Sequence, residues 1–262
     1  MTLAKQVAAV TGGASGIGAA CVQELAKQDY LVAVIDRDRA GAERVAGETG
    51  GRAYELDVGD EAAVDRVVAA IESEMGPVAA LVNSAGVLQV PVRPSELPMS
   101  RFDEVVRVNQ RGLYLCCVAF GHRMAARRRG AIVNIASISG MVSMPLHAYG
   151  PAKAAVISIT ECLAAEWGPA GIRINAVSPG YTLTPAVQSA IDKGQRDPSV
   201  LARSAALQRM IDPAEIATAV AFLLSPAASA VTGINLPVDA GLLCGITWTQ
   251  YGGLREPLSN AV

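Results

Sequence analysis

The alternation of short apolar runs with longer helical segments does most to limit what this chain can fold into. Runs of strand length fall at about residues 5–11, 31–35, 52–56, 78–82, 131–136, 172–177 and 234–238. Helical segments at about 19–28, 39–48, 61–75, 102–127, 153–167 and 213–224 lie between them. Strands joined through helices do not pair as hairpins; they run parallel, and a parallel sheet needs helices on both faces. Gly76-Pro77 closes the third helical segment and Pro213 opens the last, as boundary chemistry requires. The polar stretch at about 182–212 is too long for a plain connection and reads as a substrate loop or lid.

The first apolar run leads directly into Thr11-Gly12-Gly13-Ala14-Ser15-Gly16-Ile17-Gly18 and then a helix. Without a Cβ, glycine lets the backbone turn sharply and approach a pyrophosphate, whose charge meets the N-terminus of the next helix. Gly12, Gly16 and Gly18 are spaced one residue longer than the common dinucleotide fingerprint, with Ser15 and Ile17 between them. A tight structural turn is the competing reading. The expectation is therefore one α/β domain over residues 1–262: a single Rossmann-type doubly wound parallel sheet with helices on both faces.

The second strand ends at Asp36, where a carboxylate can accept hydrogen bonds from the adenosine ribose and repel a 2′-phosphate. Ser15 occupies the place in the glycine loop where a basic residue would neutralise such a phosphate. NAD is expected over NADP, with Arg37 keeping NADP open. After the third strand, Asp57 is a candidate acceptor for the adenine amine and Val58 a candidate packing surface for the ring. A helix-capping role is the alternative for Asp57.

Tyr149 and Lys153 are four residues apart, so on a helix they share one face. Free tyrosine titrates near ~10, and poising it near pH 7 takes roughly 4 kcal/mol. A cation ~4 Å away supplies roughly that at an effective dielectric of ~20. Lys153 is thus expected to lower the Tyr149 pKa. Pro151 lies between them, and proline is harmless only in a first helical turn, so the helix must begin at about residues 147–150.

Composition excludes several classes. The net charge is −2 and the one basic cluster, Arg127-Arg128-Arg129, sits at an expected helix end, where a solvated cap is the simplest reading and no nucleic-acid surface is implied. No apolar run reaches the ~18 residues of a membrane span. The N-terminus enters a strand at once, leaving no room for a signal peptide. Five cysteines show no metal spacing and read as small apolar fillers of a reduced, cytoplasmic protein; no metal site is expected.

Taken in order, Thr11 to Gly18, Asp57, Asn83-Ser84-Ala85-Gly86, Asn109, Ser137, Tyr149, Lys153, and Pro179-Gly180 with Thr184 resemble the short-chain dehydrogenase/reductase family over essentially the whole chain. Two departures stand out: Ser84 replaces the family's second Asn, and Pro151 lies within Tyr-x-x-x-Lys. The resemblance implies Tyr149 as general acid/base, Lys153 lowering its pKa and binding the nicotinamide ribose, and Ser137 bonding the substrate oxygen. It gives Asn109 a water that links Lys153 to solvent. It also implies that Asn83, Ala85 and Gly86 border the cofactor, that the backbone at Thr182 after Pro179-Gly180 holds the nicotinamide carboxamide, and that Thr184 binds carboxamide or phosphate. Ser139 competes with Ser137, but Ser137-x-x-Gly140 and its 12-residue distance from Tyr149 match the family better.

The expected activity is interconversion of a secondary alcohol and a ketone by hydride transfer, with a polyol, sugar or hydroxy compound among the candidate substrates. The alternative is a catalytically silent, dinucleotide-sensing protein on the same fold. Candidate pocket residues are Leu88, Gln89, Arg93, Met141, Met144, His147, Tyr181, Leu183 and Val187. Trp248 and Tyr251 are expected to pack on the core or a neighbour. The helices around 113–120 and 154–167 carry apolar residues beyond one stripe, which points to burial against other copies; family resemblance makes that a homotetramer.

Overall fold

The computed structural model describes residues 5–255, so the expectation attached to the first four residues lies outside the described residues. Seven strands, β1 (Val7–Thr11), β2 (Leu31–Asp36), β3 (Arg52–Glu55), β4 (Val78–Asn83), β5 (Gly130–Ile135), β6 (Ile172–Pro179) and β7 (Asn235–Val238), form one parallel sheet in the order β3-β2-β1-β4-β5-β6-β7. This is the doubly wound Rossmann-type architecture that the alternation requires. Each helix crosses over to return the chain to the same edge direction.

Successive residues of β1 serve opposite faces. Val7 and Ala9 join a cluster with Val64, Val68 and Ile71 of α3 (Glu61–Met75), Cys116 and Phe120 of α5 (Leu113–Ala126) and Val156 of α6 (Tyr149–Trp167). Ala8 and Val10 join another with Cys21 and Leu25 of α1 (Gly16–Lys27), Val45 of α2 (Arg39–Thr49) and Ile216 and Val220 of α9 (Pro213–Leu224). Each large apolar side chain buried this way contributes about 1.5–3 kcal/mol.

Two helical segments depart from the expected bounds, each for a local reason. α1 starts at Gly16, with Gly16 at φ 55°, so Gly16, Ile17 and Gly18 form its first turn. The segment expected as one helix is α4 (Met99–Val106), a wide π turn at Arg107–Gly112, and α5. Within the wide turn Gly112 packs on Val58, where a Cβ would come within 2.7 Å of Val58 Cγ2. α6 begins at Tyr149, inside the window set by Pro151. Proline there removes no helical bond, because first-turn N–H groups have no intrahelical acceptor.

The 182–212 stretch carries α7 (Pro185–Asp192) and α8 (Pro198–Arg203). It leaves and returns at one point: Leu183 N–H donates to Ile211 O at 2.8 Å, and Ile211 N–H to Tyr181 O at 2.9 Å.

Some surface expectations are corrected. Cys21, Cys116 and Cys117 are buried fillers, but Cys162 and Cys244 are exposed free thiols. Trp248 and Tyr251 are exposed in the single chain, which leaves a neighbour as the expected surface for them to meet. Arg127 is tied down as well as capping: its guanidinium meets Glu72 at 2.7 Å and Val78 O at 3.1 Å. Among the described residues no helix is long and apolar enough to cross a membrane, and no His/Cys/Asp/Glu group has metal-site geometry.

Candidate active site

The sheet order reverses between β1 and β4, where Thr11 and Asn83 are register partners. Loops leaving those two strand ends diverge and open a crevice, the usual ligand position in such sheets. Thr11 Oγ1 accepts from the N–H groups of Ser84 (3.2 Å) and Ala85 (3.3 Å), so the two loops are pinned at their roots. Gly12, at φ 68°, lies so close to Ala85 that a Cβ would stand 2.7 Å from its backbone. At Gly18 a Cβ would reach 2.0 Å from Gly12 O. The glycines are therefore required by packing as well as by any ligand.

The crevice has a volume of about 510 Å³ and runs from the ends of β2 and β3 to the start of α6. Of the expected site residues, Gly12, Ser15, Gly16, Ile17, Gly18, Asp36, Asp57, Val58, Ala85, Gly86, Ser137, Tyr149, Lys153, Pro179, Gly180, Thr182 and Thr184 line it. Asn83 and Asn109 do not.

At the far end the Asp36 carboxylate accepts from Ala14 N–H (3.1 Å) and Asp38 N–H (3.0 Å), which fixes it against the glycine loop. Asp57, which lines the crevice, also has partners within the chain. It accepts from Gly59 N–H at 2.9 Å and from Arg107 Nη1 at 2.9 and 3.1 Å. Partial burial pushes its carboxyl up, but the Gly59 and Arg107 bonds outweigh that and hold it below the usual range. The helix-cap alternative for Asp57 is set aside, because Asp60 caps α3.

At the near end β5 delivers Ser137 and α6 delivers Tyr149 and Lys153. The Ser137 hydroxyl stands close enough to the Tyr149 phenol to favour its ionised form. Ser139 Oγ donates to Ser137 Oγ at 3.0 Å, and Ser139 N–H lies 3.2 Å from it. Both serines line the crevice, Ser139 the more deeply buried of the two and bonded to Ser137. Lys153 Nζ donates to Ile135 O at 2.7 Å and lies 5.6 Å from the Tyr149 ring centroid.

Electrostatics correct one expectation. Burial pushes the Tyr149 phenol up to about 12, with the nearby Ser137 hydroxyl opposing it, and burial pushes the Lys153 ammonium down to about 8. In the chain by itself desolvation dominates both groups, and Lys153 does not bring Tyr149 near neutrality.

Asn83 belongs to the interior. Its Nδ2 donates to Asn134 Oδ1 (2.9 Å) and Cys117 Sγ (3.2 Å), and Asn134 Nδ2 continues to Thr160 Oγ1 (3.0 Å). Asn109 is fully buried in the wide turn, its amide bonded both ways to Val87: Oδ1 from Val87 N–H at 2.8 Å, Nδ2 to Val87 O at 2.9 Å. Both side-chain groups already have a partner, so a water held here would use the main-chain carbonyl, a second lone pair of Oδ1 or the second N–H of Nδ2.

Among the pocket candidates, Leu88, Met144 and Tyr181 line the crevice; Arg93, Met141, His147, Leu183 and Val187 do not. Gln89 is buried beneath α6 instead. Sequence reasoning missed Arg196, which lines the crevice between α7 and α8 and is half-buried in an otherwise exposed run. Nothing local marks that position in the sequence.

A dinucleotide fits this lining. The first turn of α1 presents N–H groups beside glycines that a side chain would block, and its N-cap Ser15 makes no side-chain cap bond. Among the described residues the Thr182 N–H donates to nothing, although Thr182 is buried. A Cβ at Gly86 would crowd Asn109 Oδ1 at 3.2 Å, so the floor beside Lys153 is kept open.

Residues 12–243 match the family model described as enoyl-(acyl carrier protein) reductase. The chain belongs to the short-chain dehydrogenase/reductase family. This short-chain dehydrogenase/reductase is 40% identical over 245 residues to galactitol 2-dehydrogenase of Rhizobium johnstonii, covering 90% of this chain and 95% of that one. It is 38% identical to D-threitol dehydrogenase of Mycolicibacterium smegmatis, covering 90% and 92%. A solved structure from Brucella melitensis 16M, named ribose-5-phosphate isomerase, is 52% identical with a TM-score of 0.95 over 97% of this chain and 98% of that one. ElxO, solved with NADP, is 32% identical (TM-score 0.87, 92% and 99% covered). A Brucella melitensis 3-ketoacyl-(acyl-carrier-protein) reductase, solved with NADH, is 37% identical (TM-score 0.83, 90% and 98% covered). The family assignment makes this an oxidoreductase of alcohols and ketones.

Proposed function

We propose that this short-chain dehydrogenase/reductase interconverts a polyol or related secondary alcohol and its ketone with NAD(H). The observation that carries the reading is the meeting of Ser137, Tyr149 and Lys153, from two different elements, at one end of a crevice whose other end is the glycine loop. Tyr149 Oη exchanges the proton of the substrate hydroxyl, Ser137 Oγ hydrogen-bonds the substrate oxygen, and Lys153 steadies the phenolate and the nicotinamide ribose. The oxidised nicotinamide, when bound, supplies the hydride acceptor and a positive charge beside the phenol. That charge is of the sign needed to bring down a phenol that burial raises. Asn109 is assigned the water that passes the proton from Lys153 outward.

NAD is favoured over NADP by the carboxylates of Asp36 and Asp38 at the adenosine end of the lining. The polyol class is supported by the names of the galactitol and threitol dehydrogenases. The isomerase named for the Brucella structure is not favoured here. The carboxylates of the lining, Asp36, Asp38 and Asp57, all stand at the β2 and β3 ends, away from Tyr149.

A homotetramer is proposed from the exposed Tyr114 and Val118 of α5 and the small outer residues Ala154, Ser158, Cys162 and Ala165 of α6. Light scattering at micromolar concentration is expected to give about four times the 27.0 kDa chain mass; a stable monomer refutes it.

The functional test is reduction of NAD and of NADP, followed by absorbance, over a panel of secondary alcohols and polyols that includes galactitol and D-threitol. Turnover with NAD and a polyol is expected. NADH binding with no turnover across the panel would favour the silent, dinucleotide-sensing reading instead.

A further inference from the structure

We infer that Gln89 is a positioning residue for Tyr149, capping the helix that carries it from a loop rooted in the cofactor crevice. The inference rests on the reading of Tyr149 as the proton-transfer group. α6 begins at Tyr149, and Ala148 before it has no side chain with which to cap. The acceptor comes from the chain segment after β4: Gln89 Oε1 accepts from Ala148 N–H at 2.8 Å and from Tyr149 N–H at 3.1 Å. With that, the helix start is fully accounted for. Gly150 N–H donates to Leu146 O at 2.8 Å, Pro151 has no N–H, and Ala152 N–H reaches Ala148 O at 3.1 Å.

Gln89 is only 4% exposed, and its Nε2 has no partner. Within the chain the acceptor is therefore the part of this amide that the fold employs. The residues leading to it are held just as firmly. Val87 is bonded both ways by the Asn109 amide, Leu88 O accepts from the Arg101 guanidinium, and Gln89 takes the α6 N–H groups. Ala85 and Gly86, which line the crevice, lie immediately upstream. A taut segment therefore connects the cofactor loop to the backbone of Tyr149 itself, and the phenol's place relative to the crevice depends on it.

Three substitutions separate positioning from bulk stability. Gln89→Glu keeps an acceptor for both N–H groups, gives up the Nε2 donor and adds a negative charge at a helix N-terminus, where it is favoured. Gln89→Asn keeps the amide but is one methylene short of both N–H groups. Gln89→Leu removes the cap. With the best alcohol of the polyol panel, Gln89→Leu and Gln89→Asn are expected to lower kcat at least tenfold while the NADH Kd, from nicotinamide fluorescence, stays within twofold. Gln89→Glu is expected to return kcat to within threefold of the unsubstituted enzyme. If Gln89→Asn keeps kcat within threefold, or if Gln89→Glu falls as far as Gln89→Asn, the inference is overturned; both outcomes are readable even should Gln89→Leu fail to fold. Tyr149→Phe run alongside keeps the two ideas apart. Loss of turnover there with an unaffected Gln89→Asn refutes positioning alone, whereas an active Tyr149→Phe refutes the assignment of the site.

Discussion

The Lys153 ammonium lies over the face of the Tyr149 ring, 5.6 Å from its centroid, with a proton given to Ile135 O at 2.7 Å. Helical spacing puts the two side chains together, and the lysine's hydrogen bond goes to the main chain. That geometry, with both groups desolvated, keeps the phenol at about 12 and the ammonium at about 8 in the chain alone.

Tyr149→Phe removes the proton-transfer group and no element of the glycine loop. Turnover of the best alcohol is expected to fall by about 10²–10⁴-fold, with the NAD Kd from calorimetry within twofold. Activity within a few-fold of the parent would take Tyr149 out of the mechanism.

Lys153 gives a pH signature in stability. Its folded value of about 8 lies below the ordinary 10.5, so between those values the unfolded chain holds a proton that the folded chain has released. Raising pH through that window favours the folded state, and the burial penalty is fully present below pH 8. Urea unfolding of the ligand-free protein should therefore show the parent gaining on Lys153→Met by up to about 3 kcal/mol from pH 7 to 10.5. A constant difference between the two proteins would mean that Lys153 is not buried as a charge.

Asp36→Ala takes away a carboxylate anchored by Ala14 and Asp38 N–H groups. NAD binding should weaken, and the ratio of NADP to NAD affinity should rise by tenfold or more, because acceptor and repulsion leave together. A parent enzyme that already prefers NADP refutes the argument from this end of the crevice.

The Asn83–Asn134–Thr160 chain predicts a stability effect without a binding one. Asn134→Ala leaves the Asn83 amide with only Cys117 Sγ as acceptor and takes the Asn134 donor from Thr160 Oγ1, at a cost of about 2–4 kcal/mol. Urea midpoints should drop accordingly while the NADH Kd of the folded protein holds. A large loss of affinity with unchanged stability would return Asn83 to the cofactor site.

Sequence alone determined the layers and most of the crevice lining. Strand-length apolar runs separated by helices leave a parallel sheet as the workable arrangement, and glycines at 12, 16 and 18 mark where its first loop must come close to something. Pro151 fixed the start of α6 because a missing N–H is tolerated only in the first turn. What the tertiary structure decided were matters of partner choice among groups distant along the chain. Asp57 went to Arg107, Asn83 to Asn134, Asn109 to Val87 and Gln89 to the start of α6, separations of 22 to 60 residues. Local pattern encodes which face a side chain takes, but a polar group's partner depends on which strands end beside one another. The same reason hid the raised phenol. Spacing predicts that a cation is near, whereas the pKa is set by how much water the folded sheet and helices exclude.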